Sequence, residues 1–306
     1  MGRYILHRLA LALLTLVGVT IVIFLLIRLI PGDPARIIAG LLASDDEVRR
    51  LRVDLGLTQP LHVQYLIFFT GLLHGNLGLS AATRAPVLEE IALRLRPTVL
   101  LAVSSIAVAT LMGLAAGIVS ATRRYSILDY VAMTLAVLGV SIPVFWLGLM
   151  LMLLFAVYLH WLPAGGYGTP TSLILPTIAL AAFSTGIIAR MTRSSLLETL
   201  SQDYVRTARA KGVPQHGVVL RHALKNALIP VLTVIGLQFG TLLGGAVLTE
   251  TTFAWPGMGR LLVNSILSRD YPVIQGIVLT FAAMFAVVNL LVDLLYAYVD
   301  PRIHYG

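Results

Sequence analysis

Residues 9–27 read LALALLTLVGVTIVIFLLI, nineteen positions without a charged side chain. At about 1.5 Å per residue, a helix of that length crosses the ~30 Å hydrocarbon core of a bilayer. Arg3 and Arg8 precede the run and Arg28 follows it. A cleavable signal peptide has a shorter apolar core and a small-residue cleavage site, so the run reads as a retained transmembrane helix. Arg28 can snorkel to the far interface.

Five more runs of this kind follow. Residues 98–119 give a second span and residues 172–191 a fourth, with Pro176 near its start. Residues 130–159 give a third, too long to stand perpendicular to the membrane, with Pro143 expected to kink it. Residues 228–248, rich in glycine (Gly236, Gly240, Gly244, Gly245), give a fifth, and residues 273–297 a sixth. Charged residues make up 12% of the chain, against about 25% in soluble domains, which fits a polytopic membrane protein. The chain holds no cysteine, so disulfides, thiolate metal sites and thiol nucleophiles are excluded.

Six spans place both termini on one side, and charge chooses which. Arg3, Arg8, Arg123, Arg124, seven basic residues within 190–225, and Arg302 share that side; the opposite short loops carry only Arg260 and Arg269. Lys and Arg collect in cytoplasmic loops, so both termini are expected in the cytoplasm. The expected fold is therefore all-α, with a small helical extracytoplasmic domain over 31–97 and a cytoplasmic loop over 192–227. A cytoplasmic tail is expected over 298–306. Within 31–97, Ser44 N-caps a helix over 45–57 ended by Gly56, and Pro86 and Pro97 bracket a second helix. A domain this small is expected to pack on the membrane helices or on a partner.

The 201–228 stretch carries five of the twelve basic residues on that side. Ser201 is a candidate N-cap, Asp203 suits a first turn, and a helix over 202–211 is stopped by Gly212 and Pro214. A second helical stretch then runs to about Leu228. The first helix is too short to be stable alone. Its small side chains (Thr207, Ala208, Ala210) and its basic groups (Arg206, Arg209, Lys211) suit insertion into a groove on another protein. A topology loop and a lipid-headgroup site are the plainer readings. A DNA-binding helix-turn-helix is a third, discounted because the second helix runs into the membrane.

This stretch resembles the cytoplasmic loop of ABC importer permeases whose core is E-A-A-x-x-x-G. Ala208 matches the second alanine and Gly212 the glycine, while Arg206 and Thr207 replace the glutamate and first alanine, as in the peptide-importer branch. IPGDPARIIAG (30–40), LPAGGY (162–167) and ETTFAWPGMGRLLVNSILSRDYPVIQG (250–276) are similar to the first permease subunit of dipeptide, oligopeptide and nickel importers. The resemblance spans the whole chain. It implies a multi-pass protein of a bacterial or archaeal cell membrane, forming half of a translocation pathway for short peptides. It also implies a second related permease subunit, two cytoplasmic ATPase subunits and an extracytoplasmic solute-binding protein. Coupling to the ATPases would involve Tyr204, Arg206, Thr207, Ala208, Arg209, Lys211 and Gly212.

No cofactor is expected on this chain, and ATP with magnesium would bind the partners. A P-loop needs G-x-x-x-x-G-K-[ST], and neither Lys211 nor Lys225 follows a glycine. No catalytic or metal-ligating cluster stands out. Gln238, Asn289 and Asp293 are candidates for the pathway or for helix contacts, and the loop with Trp255, Pro256 and Gly257 is expected to meet the binding protein. Trp146, Trp161 and Trp255 are expected as interface anchors. An ion-coupled secondary transporter is the alternative class, but it would carry ionisable residues deep in its spans. Nickel chelate or glutathione is the alternative cargo.

Overall fold

The computed structural model describes residues 2–29, 34–39, 43–54 and 56–299. The IPGD motif positions 30–33 and the expected tail beyond Val299 lie outside them. In chain order the helices are α1 (Gly2–Leu29), α2 (Pro34–Ala39), α3 (Asp45–Asp54), α4 (Leu61–Leu73), α5 (Val87–Thr122), α6 (Ile127–Ser141) and α7 (Val144–Met152). These are followed by α8 (Ile174–Leu200), α9 (Asp203–Ala210), α10 (Gln215–Gly217), α11 (Leu224–Thr252), α12 (Met258–Leu267) and α13 (Tyr271–Val299). Short π-helical stretches at Leu153–Tyr158 and Val218–Ala223 extend α7 and join α10 to α11, and a 3-10 turn at Pro170–Leu173 leads into α8. Among the described residues there is no strand, only one bridge between Leu79 and Pro86. Among the described residues five helices are long and apolar enough to cross a membrane, and the bent pair of α6 with α7 can supply a sixth crossing.

Several expected boundaries move. Pro97 does not end a helix: α5 runs through it, and both Pro97 and Thr98 are buried. Proline is tolerated inside long membrane helices because neighbouring groups satisfy the freed backbone. The third span is not kinked but broken, with a 105° bend between α6 and α7. Ile142, before the proline, takes the extended conformation that proline imposes on its predecessor, and that stops α6. α8 continues nine residues beyond the expected 191 because Thr192, Ser195, Leu196 and Thr199 are buried and act as interior positions. Helical structure is also unbroken from Gln215 to Thr252, so the stretch ending near Leu228 and the fifth span are one helix.

The described chain divides into two compact units, one of residues 99–255 with 288–299, the other of 2–98 with 256–287. In the first, α8 is central. Gly113 and Gly117 of α5 meet it at Ile188 and Thr192, and Gly139 of α6 meets it at Ala182. A Cβ on Gly117 would lie 2.7 Å from the Ala189 carbonyl, so only glycine lets these backbones approach. Such packing replaces the hydrophobic drive that is missing between helices in lipid. Gly236 and Gly245 of α11 serve the same end inside the chain, against Val292 and Leu180; Gly244 faces open space.

In the second unit α1 packs through Ile23 on Tyr271 and Leu279 of α13, and Val87 and Ile91 of α5 pack on Met258, Val273 and Ile277. Ser44 caps α3 as expected: its Oγ accepts from the Glu47 N–H at 3.3 Å, and its own N–H and hydroxyl donate to the Glu47 carboxylate at 2.8 and 3.0 Å. Those bonds hold the Glu47 carboxyl below its ordinary range, the backbone bond contributing most.

Candidate functional site

The site is built around α9, only eight residues long. A helix so short needs outside support, and the sequence supplies it at spacing i, i+3. Val205 and Ala208 are buried, in a cluster with Ala121 of α5, Leu196 of α8, Val218, Val219, Ala223 and Ala227. Every other residue of α9 is exposed. The helix is therefore pinned by one face and presents the other: Tyr204, Arg206, Thr207, Arg209 and Ala210.

Its ends are set by hydrogen bonds. Ser201 does not cap its N-terminus. It closes α8 instead, its hydroxyl donating to the Glu198 carbonyl at 2.7 Å, and the N-cap position falls to Gln202, which makes no side-chain bond. At the other end Gly212 takes φ +79°, Gly212 N–H bonds the Arg209 carbonyl at 2.9 Å and Val213 N–H bonds the Ala208 carbonyl at 3.2 Å. That is the Schellman arrangement, completed by Val213 packing on the same cluster as Ala208. Tyr204 is tethered across the turn, its hydroxyl accepting from Asn226 Nδ2 at 2.8 Å. Arg206 pairs with Asp203 at 3.3 Å, with both side chains largely in solvent, where such pairs are weak. Of the seven expected coupling residues, six are exposed on α9 or its turn. Ala208 is the correction: it is 7% exposed and faces the chain's own interior. Val205, its partner in anchoring, is the residue that sequence reading missed.

A second missed feature lies beside this cluster. Asp129 of α6 is 2% exposed, yet its carboxylate is fully engaged. Arg193 of α8 donates from Nε at 2.8 Å and from Nη2 at 2.9 Å, Tyr125 N–H donates at 3.0 Å, and the Ser120 hydroxyl of α5 donates as well. One carboxylate thus ties α5, α6 and α8 together, and its donor Ser120 is next to Ala121 of the cluster. The legible signal was Ser126-x-x-Asp129, a helix N-cap, and Ser126 does accept from Asp129 N–H.

The remaining expected residues scatter. Gln238 is 6% exposed, with its Nε2 unpartnered among the described residues. Thr241 donates weakly to its Oε1 at 3.4 Å. Asn289 is half-buried, and the Asp293 side chain lies outside the described residues. Trp255 is 1% exposed and packed edge-on to Tyr167 at 4.9 Å, so its ring is core and neither an interface anchor nor a contact surface. Gly257 is buried too, and Pro256 is half-buried. Trp146 and Trp161 remain exposed.

Comparison with known proteins gives these features a setting. Residues 113–305 match the family described as binding-protein-dependent transport system inner membrane component, and residues 1–102 match the N-terminal region of such membrane components. A glutathione transport system permease protein of Salmonella choleraesuis is 50% identical over 305 residues, covering all of both chains. A dipeptide transport system permease protein of Alkalihalophilus pseudofirmus is 48% identical over 333 residues, again covering all of both. Among solved structures, an inward-facing MetNI methionine ABC transporter aligns with TM-score 0.59 at 18% identity, over 69% of this chain and 96% of that one. An amino acid ABC transporter aligns with TM-score 0.53 at 17% identity, over 76% and 98%. The last two establish likeness of fold alone. The chain belongs to the family of binding-protein-dependent transport system inner membrane components, the permease subunits of ABC importers.

Proposed function

We propose that this permease carries short peptides and receives the work of ATP hydrolysis through the exposed face of α9. The observation that supports this most is the division of α9 into two faces. Val205 and Ala208 engage a cluster drawn from α5, α8 and the start of the α10–α11 helix, so a force on the outer face reaches three membrane helices at once. Moving a transporter between two states decisively takes about 5.5 kcal/mol of differential binding. Exposed ion pairs give about 0–1 kcal/mol each. The basic side chains therefore orient the docked surface, and shape complementarity around Tyr204, Thr207 and the Gly212 turn supplies most of the energy.

In this reading two cytoplasmic ATPase subunits bind ATP and magnesium, and a second related permease completes the pathway. A solute-binding protein delivers cargo to the opposite side, meeting the segment between the first two spans. Short peptides are the cargo class favoured by relatives named for glutathione and dipeptide transport. Glutathione is itself a peptide, and a nickel chelate is the alternative.

The chain's lack of cysteine permits a direct test. Thr207→Cys or Arg209→Cys, placed in the assembled complex, should crosslink to an ATPase subunit, with the yield changing between nucleotide-free and ATP-bound states. Leu111→Cys, on an exposed apolar position of α5, should not crosslink. No crosslink from either α9 position would overturn the coupling role. Competition by dipeptides and glutathione for uptake into proteoliposomes then decides cargo independently.

A further inference from the structure

The segment between the first two spans contains a helix that its presumed aqueous setting does not suit. α4 is apolar around its circumference (LHVQYLIFFTGLL), and none of its thirteen residues is fully buried. At about 20 Å it is too short to cross a bilayer. A helix that is hydrophobic all round needs an apolar environment on every side.

One side of α4 has its environment within its own unit. The Tyr65 hydroxyl bonds Thr20 Oγ1 of α1 at 2.8 Å, and Tyr65 and Phe68 pack on Phe24, with ring centroids 5.3 and 5.8 Å away. Phe68 and Leu72 join the cluster of Ile23, Tyr271 and Leu279. Gln64 accepts from Arg28 at 3.0 and 2.9 Å and donates to the Leu57 and Gln59 carbonyls. Thr20 and Phe24 belong to the apolar window Leu6–Leu26 of a membrane-crossing helix, so what touches them lies at bilayer depth. Arg28, over the Phe24 ring at 3.4 Å, sits where a snorkelling cation marks the edge of the hydrocarbon.

The other side is open. Leu61, Leu66, Ile67 and Leu73 are 53–70% exposed. The one hydroxyl there, on Thr70, is satisfied by the Leu66 and Ile67 carbonyls. This open face continues the exposed apolar surface of α1, of whose window only 17% is buried. Polar residues stand at both ends: Thr58 and Gln59 before the helix, His74 and Asn76 after it.

We infer that α4 is a leaflet-inserted helix that does not cross the membrane. Its open face contacts the acyl chains of the leaflet holding the last two turns of α1, and both its ends return to the headgroup layer. The segment between the first two spans is then partly a membrane anchor rather than wholly an aqueous domain. This does not depend on the cargo or on α9.

The cysteine-free sequence makes the experiment clean. Leu66→Cys and Ile67→Cys are spin-labelled in the assembled complex, reconstituted in phosphatidylethanolamine–phosphatidylglycerol liposomes, beside Arg49→Cys, whose side chain is 72% exposed on α3. Collision rates with oxygen and with a water-soluble nickel chelate are then compared. Lipid contact predicts an oxygen-to-nickel ratio severalfold higher at 66 and 67 than at 49. A ratio equal to that at 49 would mean water and overturn the inference. Low rates with both reagents would mean a covering protein subunit and overturn it equally. Leu73→Cys repeats the measurement if a mid-helix label blocks assembly.

Discussion

Two buried carboxylates show what a single side chain does in this protein. Asp129 accepts from two partners besides its bidentate arginine nitrogens, the Ser120 hydroxyl and the Tyr125 N–H, and removing it would leave Arg193 facing a cavity built for an anion. Breaking a buried pair by deleting one partner typically costs about 3–5 kcal/mol. The Arg193 side chain keeps 26% exposure, so Asp129→Ala is expected near the lower bound, about 3 kcal/mol, read as a fall in melting temperature of the detergent-solubilised complex. The double replacement Asp129→Leu with Arg193→Met should fall less, because no unpaired charge remains. If the double variant is as unstable as the single one, the pair is not what joins the helices. Asp270 plays a related part in the other unit. Its carboxylate accepts from the Ser80 hydroxyl and from the N–H groups of Ala81 and Ala82, folding the 80–85 turn about one buried group.

For α9, the question is what the Gly212 turn requires. A Cβ at Gly212 would meet nothing within 4 Å, so size is not the restriction; the backbone at φ +79° is. The left-handed region costs an L-residue roughly 1–2 kcal/mol, and asparagine enters it most readily. Gly212→Asn should therefore preserve coupling, whereas Gly212→Val, β-branched and strained there, should lower transport per ATP hydrolysed while the protein still reaches the membrane. Equal coupling ratios for the two variants would show that the turn is not transmitting anything. Val205→Asp should be harsher than either, since it places a charge in the cluster that pins the helix.

On the scale of the whole molecule, the division of labour is chemical. The chain contains no lysine after a glycine and hence no P-loop. Purified alone in detergent it should hydrolyse no ATP above background. Hydrolysis should appear only with the subunits that co-purify with it, and should rise when the solute-binding protein is added. ATPase activity that stays with the isolated chain would refute this assignment.

Run length and turn chemistry were enough to read the long apolar helices, the Gly212 turn and the Ser44 cap, while the family was read from the resemblance of its motifs. These are local properties: run length against bilayer thickness, a backbone angle, a hydroxyl three residues from an acid. Tertiary structure alone decided which residues are interior. Thr192 and Ser195 look like loop residues until Ser195 is seen donating to the Ala227 carbonyl at 2.9 Å, which keeps α8 helical to Leu200. Ala208 and Thr207 are adjacent small residues, and only the cluster around Val205 separates the face that is pinned from the face that is free. Trp255 reads as an interface residue by type, but its place inside the chain follows from Tyr167, 88 positions away. Sequence fixes what each segment can be in a bilayer because the solvent imposes that. Which polar group is buried, and which apolar face stays open, depends on partners brought together by the fold.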